Sequence, residues 1–405
     1  MAEASDYSES RARPRAPGVH FEEVAPEPVP AFRTGVPVFV GFVEDSETGN
    51  EQDADRRVDP YTLTRWEQFA ERVGRTISGS FLCYAVRGFF ENGGEHCVVV
   101  PLQRKSSTTL TEELRKVFRK DERGLRDLLE DIEDVDLVCV PDIMMADIRA
   151  SQETVFDLQK QVLEYCKDMG DRFAILDVLP MTDIQHAIQH WQELLPTEGA
   201  LYFPWIKDRT GMWIPPCGHV AGIYARTDAQ IGVHKAPANE IVEGALDLET
   251  RLTDGQQSQL NDAGVNCLRS FPGRGIRVWG ARTLSGLPNW RYVNVRRLFL
   301  TLIRWIERNM YDLVFEPNGP PLWDRVRDRL GSYCYELFQR GALKGGSPDE
   351  AFFVKCDAET NPLTVREAGQ LICEVGLTAV TPAEFVVVRI TQSVAGATAT
   401  IPTGA

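Results

Sequence analysis

The chain has 405 residues, a formal net charge of −15 and 43% apolar residues, which is enough length and apolar content for two or three domains with sizeable cores. So acidic a balance excludes nucleic acid as the main partner, because phosphate binding needs a net basic surface or a long basic tract, and the short cluster Arg11, Arg13 and Arg15 supplies neither. No run approaches the ~18 apolar residues of a membrane span, the N-terminus lacks the apolar stretch of a signal peptide, and nine cysteines without a Cys-x-x-Cys pair speak against a disulfide framework or zinc site, so the expectation is a soluble protein kept in a cytosol until something releases it.

Residues 1–17 are polar, charged and Pro-containing with no hydrophobic period, and read as a solvated tail or a mobile arm. The run 35–43 predicts a buried strand, and 44–59 an acidic exposed loop. Thr64-Arg65-Trp66-Glu67 has capping-box spacing, and Trp66, Phe69 and Val73 supply the apolar face of a helix behind it. A second helix over 81–90 stops at Asn92-Gly93-Gly94, and 97–100 is a short buried strand. Composition turns charged over 106–134, which marks a domain boundary near 105. Beyond it, strands at 137–141, 173–178 and 200–204 alternate with helices at 152–169 and 183–195, a pattern that implies a parallel sheet with right-handed crossovers. The signal then weakens to a helix over 218–227 and a strand over 265–270, with no assignment for 230–261.

From Val295 the apolar residues Val295, Leu298, Phe299, Leu302, Ile306 and Met310 recur at helical spacing, with Asn294 placed to cap them. At about 100° per residue, Arg297, Thr301, Arg304 and Arg308 fall on the opposite side, so one face packs and a basic stripe is offered. The alternatives for that stripe are a solvated face or internal ion pairs. A helix over 322–339 ends at Gly341, and strands over 352–356, 370–377 and 384–391 most simply form an antiparallel sheet. Residues 392–405 carry no charge and are rich in Ala, Thr and Gly. They can extend as a strand but have too little apolar bulk to pack alone, so they read as a second arm or a frayed terminus.

Trp279-Gly280-Ala281-Arg282-Thr283-Leu284, Trp290-Arg291-Tyr292-Val293-Asn294-Val295-Arg296-Arg297 and Phe315-Glu316-Pro317-Asn318 together resemble the C-terminal region of contractile tail sheath proteins, the subunits that wrap the tube of contractile phage tails, R-type pyocins and related injection systems. The resemblance extends upstream to Pro17-Gly18-Val19-His20-Phe21-Glu22-Glu23-Val24, Gly35-Val36-Pro37-Val38-Phe39-Val40-Gly41 and Phe89-Phe90-Glu91-Asn92-Gly93-Gly94. Downstream it takes in Gly341-Ala342-Leu343-Lys344-Gly345, Phe353-Val354-Lys355-Cys356-Asp357, Thr360-Asn361-Pro362 and Pro382-Ala383-Glu384-Phe385. It implies an α/β fold (α+β overall), with a parallel α/β middle domain, a composite inner domain holding a C-terminal antiparallel sheet, and extended arms at both ends. The implied division is 1–17 arm, 18–105 N-terminal part of the inner domain, 106–270 middle domain, 271–391 C-terminal domain and 392–405 arm. In the resembled family the arms add strands to sheets of neighbouring subunits, which here implicates Arg15 and Pro17 at one end and Val394 and Ala397 at the other. Arg297, Arg304 and Arg308 are the expected tube-facing residues. Expected partners are further copies of the chain, an inner tube protein, and baseplate and cap proteins, in a particle assembled in the bacterial cytoplasm and released on lysis.

Catalytic and cofactor signals are weak. His186 and His190 share a helix face, but Ala187 stands where the H-E-x-x-H pattern needs its Glu, and no third ligand is evident. Gly273-Arg274-Gly275 begins a dinucleotide fingerprint without completing it, and the run 341–347 has P-loop ingredients in the wrong order; a turn and a helix end explain both. No G-x-S-x-G elbow is present. The family's middle region is similar to subtilisin in fold, and a fold does not carry a triad with it. The expectation is no catalytic residue, metal or cofactor; the alternative of an α/β hydrolase-like or nucleotide-binding enzyme rests on the alternating middle region alone.

Overall fold

The computed structural model describes residues 32–44, 60–104, 107–120, 125–194, 199–380, 386–393 and 396–400. The expected N-terminal arm and most of the acidic loop lie outside them.

The first part is built on β1 (Pro37–Val43), β2 (Tyr61–Leu63), α1 (Gln68–Arg72), α2 (Leu82–Glu91), β3 (Cys97–Gln103), α3 (Leu110–Phe118), α4 (Leu125–Glu130), β4 (Leu137–Cys139), α5 (Gln152–Met169), β5 (Phe173–Asp177), α6 (Ile184–Leu194) and β6 (Gly199–Phe203). It continues through β7 (Ile206–Lys207), β8 (Trp213–Ile214), α7 (Cys217–Gln230), β9 (Glu240–Ile241), β10 (Asp247–Leu248), α8 (Asp254–Ala263), β11 (Val265–Phe271) and β12 (Gly275–Trp279). Nine of the strands form one sheet in the order β2-β3-β1-β4-β5-β6-β11-β12-β9, with β7, β8 and β10 in a small separate sheet. The six from β3 to β11 are parallel, as the alternating pattern required. Every residue of β1 is buried; a strand made of Val and Phe with no exposed face needs neighbours on both edges and helices on both sides. Its neighbours are β3 and β4, so the sheet runs straight through the expected boundary at 105/106. Residues on either side of that boundary share one core, and the charged stretch that suggested it is the surface pair α3 and α4, the former capped by Thr109, which accepts from the Glu112 amide at 3.2 Å.

One local expectation fails for a tertiary reason. The Thr64 capping box does not form: the extended chain of β2 pairs with β3 up to Leu63, the helix starts a turn late at Gln68, and the Thr64 amide donates to Gln68 Oε1 at 2.8 Å. The unassigned region 230–261 contains α8, opened by a complete capping box between Thr253 and Gln256. Helices α2 and α7 approach so closely that a Cβ on Gly218 would lie 2.2 Å from the Ala85 carbonyl oxygen, and only glycine fits there.

The second part comprises α9 (Val293–Asn309), α10 (Pro320–Gln339), α11 (Pro348–Ala351), β13 (Phe352–Lys355), α12 (Leu363–Glu367), β14 (Leu371–Leu377), β15 (Val386–Ser393) and β16 (Gly396–Thr400). Its core takes the whole predicted apolar stripe of α9, from Val295 to Met310, with Leu322, Val326, Leu330 and Leu337 of α10 and Cys373, Val375 and Leu377 of β14. Asn294 is not the cap; Tyr292 occupies that position, and Asn294 Nδ2 donates to the His234 carbonyl at 2.8 Å. Helix α10 ends at Gly341, whose φ of 74° lets the chain reverse so that the Ala342 amide reaches the Leu337 carbonyl at 2.9 Å. Strands β13 to β16 make the predicted antiparallel sheet, in chain order and with one strand more than expected.

Candidate assembly site

In a doubly wound sheet, ligands bind where the strand order reverses, in the crevice beyond the C-terminal strand ends. Here that point lies between β1 and β4, and a side chain of the protein fills it. Asp142 accepts from the Phe42 amide at 2.7 Å, the Phe81 amide at 2.6 Å, the Leu82 amide at 3.1 Å and the Ser80 hydroxyl at 2.8 Å. It acts as an internal anion at the start of α2. Complete burial pushes its pKa up to about 6 against the pull of those donors. Asp177, at the end of β5, does the same for α7 by accepting from the Cys217 amide at 2.9 Å, and burial takes its pKa to about 7. Chemically, the crevice holds two helix N-termini in place.

The histidine pair separates. His190 is buried against Phe156 with Nε2 2.6 Å from Gln159 Oε1, whereas His186 is exposed beside Asp183. Among the described residues no group of three or more His, Cys, Asp or Glu side chains could hold a metal ion. Gly273 and Gly275 form the β11–β12 turn, both with positive φ.

The basic face of α9 is buried, which corrects the reading of an offered stripe. Val293 and Leu300 on that side enter the core of the nine-stranded sheet, so the helix is covered on both faces and carries its arginines inside. Arg297 is 3% exposed and grips Asp228 through two parallel bonds of 2.9 and 2.6 Å, with a third to Asp136 at 3.1 Å and the Tyr224 ring 4.9 Å away. Burial works against its charge, but Asp228 and Asp136 outweigh burial and raise its pKa, so the guanidinium stays charged. Arg304, also 3% exposed, donates to the Arg33 carbonyl and lies 3.9 Å from Asp136. Neither head is available to a partner surface. Arg308 alone keeps an accessible head, shared with Asp134 at 2.6 Å and Glu133 at 4.0 Å.

The cluster closes on the chain entering β1. Asp136 accepts from the Gly35 amide at 3.0 Å and the Val36 amide at 2.6 Å, and the Thr34 hydroxyl bonds to Asp228. Sequence reasoning found the arginines but not their acidic partners.

The other candidates are backbone edges. Ala397 lies in β16, opposite Gln392 of β15, so part of the expected C-terminal arm folds back onto the chain's own sheet. Arg15, Pro17 and Val394 lie outside the described residues. Among the described residues, β13 and β16 each have a single neighbour, which leaves both edges of this sheet open.

Comparison with known proteins agrees with this architecture. The chain matches the phage tail sheath protein central domain over residues 122–284 and the phage tail sheath C-terminal domain over residues 287–393. The PVC sheath complex of an extracellular contractile injection system, in its contracted state, is 31% identical with a TM-score of 0.69, over 93% of this chain and 97% of that one. The anti-feeding prophage baseplate gives 29% identity and a TM-score of 0.70, over 92% and 97% of the two chains. The tail sheath protein of Salmonella phage ViI is 24% identical over 54% of this chain, and the matched stretch is 38% of that longer protein; the chain thus spans less than half the length of the curated relatives it matches. A parallel-rich α/β sheet, a C-terminal antiparallel sheet and both family domains in the expected order place this chain in the contractile tail sheath family.

Proposed function

We propose that this chain is the repeating subunit of a contractile sheath, polymerising helically around an inner tube and contracting to drive that tube through a target envelope. The observation that carries the reading is the open four-stranded sheet. Its edge strand β16, Gly-Ala-Thr-Ala-Thr, has no charge, proline or bulge to deter pairing, although an unguarded edge is a liability that soluble proteins normally blunt. Strand addition uses such an edge and asks little of the side chains that supply it. In this reading residues near Arg15 and Pro17, and those from Val394 through Ala397, pair with neighbouring subunits, β16 exchanging its place on its own sheet for the same place on another. Arg308 is retained as a tube-facing residue. Partners are further copies, a tube protein, and baseplate and cap proteins, assembled in the bacterial cytoplasm and released on lysis, with no cofactor and no catalytic step.

The test is electron microscopy of the chain expressed alone. Wide-lumened tubes are expected, because a sheath that stores energy relaxes to its contracted form when no tube templates the extended one. Uniform small particles at all concentrations would overturn the reading.

A further inference from the structure

Four consecutive residues ahead of β1 are each held by a buried polar group. The Arg33 carbonyl accepts from Arg304, the Thr34 hydroxyl bonds to Asp228, and the Gly35 and Val36 amides donate to the two oxygens of Asp136. The holders come from three elements: Asp228 from α7, Arg304 from α9, and Asp136 from the turn before β4. Arg297 joins them by bridging Asp228 and Asp136. Gly35 has a φ of 72°, and a Cβ there would lie 2.5 Å from the Ala225 Cα, so the path of the chain is fixed by shape as well as charge.

β1 does not need this to stay in the sheet. It begins at Pro37 and pairs on both edges; Arg33 and Thr34 lie outside it. Buried ion pairs are a poor route to stability, since desolvation consumes much of what the attraction returns, whereas they do fix geometry. What these four groups fix is the path of residues 33–36 into β1.

We infer that Arg304, Arg297, Asp136 and Asp228 anchor residues 33–36, the segment through which a pull on the N-terminal arm reaches the subunit, and are positioning residues for sheath assembly. The inference rests on the sheath reading above. An arm paired with a neighbour transmits displacement only if its root cannot swivel. The anchor ties that root to α7 and α9 together, and so to both cores of the subunit.

The test uses full-length Arg304→Met, which keeps an apolar stem, and Gly35→Ala, which redirects the root without removing a charge. Two measurements are made on each: the rate at which trypsin cuts the Arg33–Thr34 bond, read by the mass of the fragment beginning at Thr34, and the yield of sheaths by sedimentation and negative stain. The expected result is faster cleavage at that bond, an intact folded subunit, and sheath yield lower by about tenfold. Faster cleavage with wild-type yield overturns the inference, as does unchanged cleavage in both variants. If both variants fail to fold, the cluster is a core element and the inference also falls. Failure of the sheath reading itself is distinct, because then the unmodified chain forms no sheaths.

Discussion

The two sheets of this protein end differently. The nine-stranded sheet closes with β2, three residues long, and β9, two residues long, and both outer pairings are antiparallel. Neither edge offers a template of useful length, and the strands between them are buried under helices. The C-terminal sheet ends on β16, five residues of unguarded backbone, and on β13, which carries the exposed ring of Phe353. Among the described residues, the first sheet presents only short edges and the second a longer one. A subunit that must hold its shape while exchanging neighbours needs both, with change carried at the open edges and the closed region moving as a body.

The largest expected effect lies at the open edge. Thr398→Pro removes a main-chain donor from the middle of β16, opposite Thr391, and deletion of 392–405 removes the strand. Both variants should give folded subunits, by circular dichroism and cooperative urea unfolding, that form no sheaths in electron micrographs. Normal sheaths from either one would make the open edge incidental.

The next effect lies in the closed region and should leave assembly chemistry aside. Asp142→Ala strands the Phe42 and Phe81 amides and the Ser80 hydroxyl in a fully buried site, while the Leu82 amide keeps Ser80 Oγ at 3.2 Å. At about 1–3 kcal/mol per unsatisfied group, only partly relieved by relaxation, a loss of roughly 3–5 kcal/mol in urea unfolding is expected. A loss below about 1 kcal/mol would mean that the crevice admits water and is not a closed joint. Gly218→Ala comes after it. The new methyl meets the Ala85 carbonyl, and prying α2 from α7 should cost about 1–3 kcal/mol.

The same contrast governs what the sequence reveals. Strand β1, helix α5 and the apolar face of α9 are legible because their signals are local: a Val and Phe run, a cap at Ser151 with Gly170 at the far end, and a 3.6-residue period. Helix α8 was missed: the Thr253-x-x-Gln256 spacing is a local cap signal, but the apolar period behind it is too weak to draw attention. The burial of Arg297 was not legible, because its carboxylates stand 69 and 161 residues away in sequence and an arginine stripe looks the same whether it meets solvent or two aspartates. The return of 396–400 onto β15 was hidden for the opposite reason. Small alternating residues specify an extended chain without naming its partner.

The smallest effect is a slope. Asp177 has a folded pKa of about 7, raised by burial above the roughly 3.9 of an unfolded aspartate. Its contribution is therefore fully present below about pH 4 and is lost as pH rises through 7. Asp142, at about 6, behaves alike over a narrower range. Two buried histidines oppose them. Burial lowers His190 to about 3 and His219 to about 4, so both stay neutral in the fold while the unfolded chain protonates them below about 6.5, and stability is lost as pH falls. Near pH 5 the contributions of these four groups to the slope cancel, and Glu307, which burial raises to about 7, adds another of the same sign as Asp177. Asp177→Asn keeps an acceptor for the Cys217 amide and deletes one of the four. Relative to the unmodified chain, the variant should gain stability by about 1.4 kcal/mol per pH unit between roughly pH 4 and 7, read as the difference between two urea-unfolding series. A flat difference would show that the Asp177 carboxyl is already ionised in the folded subunit, and that the end of β5 is open to solvent in a way the end of β4 is not.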